Sequence, residues 1–493
     1  MMGTVPKRPF HLDEYIQEIQ KKSTDTSRRT NAAFNRLERF YEICDAVKEV
    51  IKMEMLDGIG TGSAEADQTN QFLYQQKRAI IGHTKEVNYF KTKIEEYLKK
   101  NNASSEWFPD WFEDLKSAIF HENWGLAGIM EWKIKMKEST SCKIIGQRIY
   151  FLIDGKMILQ EQTISKDRIN QLITALMLQT PEKRLDDGNA EVYMLDGTRI
   201  AIFVDGEDGL AKESTIIFRK YIIEQFTFKE QSARGTVPIE LVPALEAWAL
   251  VGFNVGFIGP VRTGKTTFLE TWQSLEDGTL EGIQIETDPE IALHVLMPKA
   301  PIMQIVADGV RLKKIIKRLL RADGDYLIMA EARDAVAMAI VVEATNRGTR
   351  RVKFTYHTSD PIDFCYDAAN GIVQEFGGDV FANTIKIAKN VHYLFEFIQL
   401  KDKSKKRLKG IYEIRYNPLT LLITIHQICK YNFRTDSWSY KYDFGSDKVG
   451  IAEMENYEAF EVVQREFKRL AAISPIEGET VTELPYIKFM LNR

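Results

Sequence analysis

The fold class read from the sequence is α/β with a mainly parallel sheet, and three observations lead there. The hydrophobic period changes near Lys143 from the spacing of helices to the alternation of strands. From Val255 to Tyr356, short apolar runs alternate with helix-compatible stretches, the order expected of parallel strands joined by helices. The first of those runs, Val255 to Ile258, passes through a glycine-bounded turn straight into a helix-compatible segment, Thr267 to Leu275.

Length and composition bound the rest. A chain of 493 residues is too long for one core, so two or three domains are expected. Hydrophobic residues at 44% and charged residues at 28%, with 14 prolines, are ordinary globular usage and exclude a largely disordered chain. With 66 basic against 70 acidic residues, the net charge of -4 offers no general attraction to a phosphate backbone, so no nucleic-acid partner is expected. No run nears the roughly 18 apolar residues of a membrane span. Met1 to Gln17 lacks the order of a secretory signal, so a cytoplasmic protein is expected. Cys44, Cys142, Cys365 and Cys429 are too dispersed for a metal knuckle and read as buried thiols.

Three regions follow in order. Residues 1–140 read as helical, with helically spaced apolar residues in Ala32 to Met53 and Asn88 to Leu98 and a Gly/Ser-containing break at Asp57 to Ser63. Trp107, Trp111, Trp124 and Trp132 close this region, either as core between helical layers or as a partner-binding face. Residues 143–228 read as a small α/β domain. Its strand-like runs are Lys143 to Phe151, Lys156 to Leu159, Ala190 to Leu195 and Arg199 to Val204, with turns at Asp154-Gly155 and Asp196-Gly197. Lys229 to Pro238 reads as a polar linker, and residues 236–493 as the larger α/β domain.

Within that domain, Gly259-Pro260-Val261-Arg262-Thr263-Gly264-Lys265-Thr266, followed by Thr267, matches G-x-x-x-x-G-K-[ST] between a strand and a helix. Glycines let backbone N–H groups close around phosphates, Lys265 reaches the β and γ phosphates, and the Thr266 hydroxyl ligates Mg²⁺. ATP with Mg²⁺ is therefore the expected cofactor pair. Downstream, Gly282 to Ile285 ends in Glu286, Tyr326 to Ala330 ends in Glu331, and Val352 to Tyr356 ends at His357. Parallel topology puts all three on the sheet edge that carries the loop, where such sheets bind ligands. Val310 to Arg321 and Arg333 to Arg347 read as helices, and Ser359-Asp360-Pro361 as the cap and first turn of another.

Beyond Val391, Tyr393 to Gln399, Gly410 to Arg415, Leu421 to Ile428 and Ser437 to Tyr442 read as antiparallel strands, with a basic turn at Lys401 to Arg407. A final helix, Glu453 to Ala472, presents Tyr457, Phe460, Val463 and Phe467 for packing on the sheet or for docking on a membrane surface.

In order and spacing, Gly259 to Thr267, Ile285 to Glu290, Asp325 to Arg333 and Thr355 to His357 resemble the motif boxes of the bacterial and archaeal ATPases of type II and type IV secretion and pilus assembly. Ile119 to Ile129, containing Gly125-Leu126-Ala127-Gly128, and the segments Asp196 to Ile200 and Ile217 to Tyr221 resemble the N-terminal part of that family. The resemblance covers about residues 115 to 430 and, with the helical N-terminus, is closest to the tight-adherence (Tad/Flp) pilus ATPases. It implies a RecA-like P-loop ATPase domain and a ring of identical subunits, expected to be hexameric. It also implies a motor at the inner face of the cytoplasmic membrane, acting on an integral membrane platform and touching the bilayer only indirectly.

Roles for individual residues follow from that resemblance. Glu331 is expected to organise Mg²⁺ and its waters, Glu286 to orient or deprotonate the attacking water, and His357 to sense the γ-phosphate. Arg219 resembles the N-terminal-domain arginine that reaches the phosphates across a cleft; Arg333 and Arg321 serve charge stabilisation or ion pairing. The bland alternatives are that the two carboxylates cap or face solvent and that His357 is a core residue. Three departures stand out: Glu286-Thr287 where the family has Glu-Asp, with Asp288 one place later; Ala330 for the usual glycine; and Thr349 where the first histidine of the histidine box falls. These departures keep a hydrolysis-poor, nucleotide-dependent assembly protein in play beside the motor, and a DNA-translocating P-loop ATPase is the other rival. The basic helix face of Lys313, Lys314, Lys317 and Arg318 reads as a solvated face or a subunit contact.

Overall fold

The computed structural model describes residues 35–54, 72, 74–177, 188–194, 197–206, 209–220, 226–287, 291–307, 309–319, 321–322 and 324–484. Several positions read from the sequence lie outside these: Met1 to Gln17, Ala32, Asp57 to Ser63, Leu195, Asp196, Tyr221, Asp288, Pro289, Glu290 and Leu320. The chain divides into two compact units, Met1–Ile222 and Ile223–Arg493.

The first unit opens with helices α1 (35–54), α2 (74–81), α3 (Thr84–Lys100) and α4 (Leu115–Trp124). Helical spacing puts Phe40, Val47, Phe90, Ile94 and Trp124 in one core, where Trp124 stacks on Phe90 with centroids 4.5 Å apart. Trp132, on α5 (Met130–Lys135), is buried and donates its Nε1 proton to Ser139 Oγ at 2.8 Å. These two tryptophans are core; Trp107 is exposed.

A six-stranded antiparallel sheet follows among the described residues, in the order β3-β2-β1-β6-β5-β4. Its strands are β1 (Ser141–Ile145), β2 (Arg148–Ile153), β3 (Lys156–Thr163), β4 (Asn189–Tyr193), β5 (Arg199–Phe203) and β6 (Thr215–Arg219), with α6 (Lys166–Met177) between β3 and β4. The run Lys143 to Phe151, read as one strand, is a hairpin, because Gly146 at φ +55° reverses the chain between β1 and β2.

The stretch that reads as a linker lies inside the second unit, which begins at Ile223. Residues Phe228–Ala233 form α7 instead, because Thr227 and Glu230 make a reciprocal capping box and Phe228 is buried. Gln231 Nε2 then donates to Thr271 Oγ1 at 2.7 Å, fastening the segment to its own unit. After α8 (Val242–Val251), strands β7 (Val255–Ile258), β8 (Gly282–Glu286), β9 (Ile302–Val306), β10 (Tyr326–Met329), β11 (Lys353–Tyr356) and β12 (Tyr393–Gln399) run parallel in the order β9-β8-β10-β11-β7-β12. Strands β13 (Lys406–Asn417), β14 (Leu422–Asn432), β15 (Ser437–Tyr440) and β16 (Val481–Glu483) continue the sheet antiparallel.

Helices α9 (Lys265–Gln273), α10 (Leu293–Leu296), α11 (Gly309–Leu319), α12 (Ala335–Asn346), α13 (Phe364–Phe376), α14 (Val380–Asn390), α15 (Ser446–Glu455) and α16 (Tyr457–Ile473) complete the unit. The strands alternate between two cores. Phe257, Ile328 and Phe395 pack with α8, α9 and α16, while Ile258, Met329 and Leu394 pack with α11 to α14. Both faces are thus covered, as a central parallel sheet requires. One strand, β11, separates the loop strand β7 from the acidic strand β10. This is a P-loop NTPase fold of the RecA-like kind.

Two local expectations need correction. Asp360 does not start a helix: its Oδ1 accepts from the N–H groups of Ile362 and Asp363, and α13 begins only at Phe364. The final helix is broken at Asn456, whose side chain caps α16 through the Ala459 N–H. Phe460, Val463 and Phe467 are buried in the core and Tyr457 is exposed, so this helix packs on its own unit. Among the described residues, no helix is long and apolar enough to cross a membrane.

Candidate active site

Strand β7 is buried at every position and delivers the chain to Gly259. Gly259 has φ +140°, and a Cβ there would lie 2.2 Å from the Phe397 carbonyl oxygen at the end of β12, so only glycine fits. The loop then runs through exposed Pro260, Val261 and Arg262, the last in the left-handed region at φ +65°. Thr263 Oγ1 donates to the Pro260 carbonyl at 2.9 Å and closes the loop on itself. Gly264, at φ +91°, caps α9. Phe268 makes the first bond of that helix, to the Gly264 carbonyl at 3.0 Å. The N–H groups of Lys265, Thr266 and Thr267 therefore precede the helical ladder, at the positive end of the helix dipole.

Lys265 is almost fully buried, and its ammonium donates to the carbonyls of Gly259 at 2.8 Å and Pro260 at 2.7 Å. Its Nζ also stands 3.5 Å from His357 Nδ1. His357 Nε2 lies 2.6 Å from Glu331 Oε1, and Arg333 donates to the other oxygen of Glu331. Lys265, His357, Glu331 and Arg333 thus form one chain of contacts across three neighbouring strand ends. The parallel register of β10 and β11, Met329 opposite Phe354, sets up this meeting. Thr355 tightens it by donating its hydroxyl to the Ala330 carbonyl, while its own carbonyl accepts from the Ala332 N–H. Asp334 then caps α12 through the Ala337 N–H at 2.8 Å, fixing the chain just past Arg333.

Burial alone would raise the pKa of Glu331, but hydrogen bonds from His357 and Arg333 outweigh it and hold the carboxyl down at about 2. The group is an anion at neutral pH. With the Thr266 hydroxyl in the first turn of α9, the donor set suits Mg²⁺, a hard cation that takes few protein ligands beside phosphate and water. Among the described residues, no group of three or more His, Cys, Asp or Glu side chains forms a self-contained metal site.

Glu286 ends β8 on the same sheet edge and is buried. Its Oε2 accepts the Ile291 N–H at 2.9 Å and its Oε1 the Gln284 amide, so in this structure both of its oxygens are engaged by the protein. Asp288, the alternative acid, lies outside the described residues. Thr349 precedes β11 by a few residues, on the sheet edge opposite His357. Arg321 is exposed in the turn after α11. Arg219 is the last residue of β6 in the first unit, paired across the sheet with Arg199 and Ser141. The helix α11 keeps Lys313, Lys314, Lys317 and Arg318 exposed, with Lys313 bonded to Glu375 at 2.7 Å.

No protein-family model matches the chain, and no curated protein matches it. Solved structures similar to it include the VirB11 ATPase of the Brucella suis type IV secretion system in complex with sulphate, at 13% identity over 58% of this chain and 92% of that one, with a TM-score of 0.32. The Legionella pneumophila ATPase DotB is 14% identical over 75% of this chain and 90% of its own, with a TM-score of 0.42. The pilus retraction motor PilT with bound ADP is 13% identical over 70% and 91% respectively, with a TM-score of 0.43.

Proposed function

We propose that this protein is an ATPase of the secretion and pilus-motor type, closest to the tight-adherence pilus ATPases, and that it works as a cytoplasmic homo-oligomeric ring on an integral membrane platform. The observation that carries the reading is the strand-end cluster: Lys265, His357, Glu331 and Arg333 converge beside a loop of the G-x-x-x-x-G-K-[ST] pattern. The order of the sequence motifs supplies the motor reading.

In this reading ATP displaces the carbonyls from Lys265, whose ammonium turns to the β and γ phosphates, and the N–H groups opening α9 bind the same chain. Thr266 and Glu331 would hold Mg²⁺, which when bound neutralises developing phosphate charge. With Glu331 in that role, the His357 imidazole and the Arg333 guanidinium, which bond it in this structure, would turn to face the γ-phosphate and to stabilise charge. Glu286 orients the attacking water once its hold on Ile291 loosens. That hold also favours the second reading, slow hydrolysis in which nucleotide mainly organises the ring.

ATP turnover measured with and without DNA, alongside the mass of the particle in solution, is the test. Steady turnover indifferent to DNA in a ring-sized oligomer is expected, and DNA-stimulated turnover would favour a translocase. Glu331→Gln should retain ATP and lose most turnover; activity within about twofold of the parent would leave Glu331 a structural carboxylate. Arg219→Ala in the full-length protein should bind ATP and hydrolyse it poorly, since an arginine completing the transition-state charge is worth several orders of magnitude. Parent-like turnover would remove Arg219 from the mechanism.

A further inference from the structure

The loop Gly259 to Thr266 is braced by the hairpin of β12 and β13. At one end, the Phe397 carbonyl of β12 leaves no room for a Cβ on Gly259; at the other, the Lys406 side chain of β13 lies over Gly264, its Cδ 3.3 Å and its Nζ 4.0 Å from where a Cβ would stand. Lys406 is only partly exposed, and among the described residues its ammonium has no acidic or hydrogen-bonding partner. Lys405, its neighbour in this hairpin turn, reaches Asp402 at 3.9 Å instead. Burial, and after it the positive charge of Arg234, holds Lys406 below the ordinary lysine value. A half-buried cation with a cationic neighbour, lying on the loop that surrounds phosphates, gains from an anion what the protein itself does not supply.

We infer that Lys406 is a second cation of the phosphate site, presented in the same subunit by β13, and that it binds the diphosphate portion shared by ATP and ADP. The inference rests on the nucleotide-binding reading above. Lysine suits the task because its flexible stem lies along the Gly264 backbone while the ammonium reaches past it. Arg407, next in sequence, cannot share this role, being held by the carboxylate of Asp436 at 2.7 and 2.9 Å.

The test is calorimetric titration of the full-length protein with Mg-ATP and Mg-ADP. Lys406→Met keeps the stem against Gly264 and removes the charge; affinity for both nucleotides should fall roughly tenfold, the size of one charge-assisted hydrogen bond. Lys406→Arg should recover most of the loss, and Lys401→Met, in the same hairpin turn, should bind like the parent. Independently of any variant, ADP should protect Lys406 of the parent protein from an amine-acylating reagent, read by peptide mass spectrometry. Two results would overturn the inference while leaving nucleotide binding intact: Lys406→Met within twofold of the parent when Lys265→Ala has lost binding, or acylation of Lys406 unchanged at saturating ADP. A parent protein that takes up neither nucleotide would sink the nucleotide reading itself.

Discussion

At its amino end, β11 begins with Lys353, fully buried, whose ammonium meets Glu276 at 2.6 Å; at its carboxyl end it leads to His357, 30% exposed, with Nε2 at 2.6 Å from Glu331. The distances are equal and the surroundings are not. Glu276 is as buried as its lysine and has Arg351 as a second, more distant cation at 3.9 Å, so the Lys353 ammonium, which otherwise faces only the Tyr326 ring, relies on Glu276 as its anion. Burial holds Lys353 below the ordinary lysine value despite the Glu276 contact. Beside it, Asn254 joins β7 and β11, accepting the Val352 N–H at 2.9 Å and donating to the Asn390 carbonyl at 2.8 Å. The amino edge of the sheet is a closed, buried clasp. The carboxyl edge keeps its charges partly in water and bonded to groups they can exchange, which is what a site that must receive an anion and a cation needs.

Breaking the clasp should have the largest effect on the molecule. Glu276→Ala strands the Lys353 ammonium and should cost about 3–5 kcal/mol of stability, measured by denaturant unfolding. Joining it to Lys353→Met should recover most of that loss. A single-variant cost below about 1 kcal/mol would mean the pair is relaxed by water and the two edges are alike. Next in size, Lys265→Ala at the other edge should lower ATP turnover roughly 100-fold or more and weaken nucleotide binding, with stability near that of the parent. Unchanged ATP affinity in a titration of that folded variant would detach the loop from the phosphates.

The difference between the edges also marks what the sequence could reveal. Glu286, Glu331, His357 and the Gly259 to Thr267 loop were legible because each is local: a strand ends, a turn needs glycine, a helix begins. That Glu331 and His357 share a sheet edge followed from parallel topology, yet their contact with each other and their link to Lys265 and Arg333 depend on side-chain packing that no spacing encodes. Lys406 looked like part of a basic turn, since only the pairing of β13 with β12 carries it onto the loop. Asn254 and Glu276 gave no sign at all, because their partners lie at least 75 positions away in the chain. The linker reading of Lys229 to Pro238 failed for a nearer reason: its polarity hid the Thr227 and Glu230 box and the buried anchors Phe228 and Val237.

The smallest effect expected is a pH dependence, and it sharpens the contrast between the edges. Glu331 is held at about 2 in the folded protein, against an ordinary 4.5 for the unfolded chain. A depressed carboxyl contributes stability that is present in full above 4.5 and fades as the pH falls toward 2. The contribution is at most about 3 kcal/mol, and smaller to the extent that water reaches the carboxylate. Glu331→Gln lacks it, so the stability gap between parent and variant should be steady at neutral pH and close between pH 4.5 and 2. Unfolding followed at pH 7 and at pH 3 would show this. A gap that stays constant into acid would mean that the contacts of Glu331 with His357 and Arg333 do not depend on its charge, and the carboxyl edge would then be as closed a clasp as the amino one.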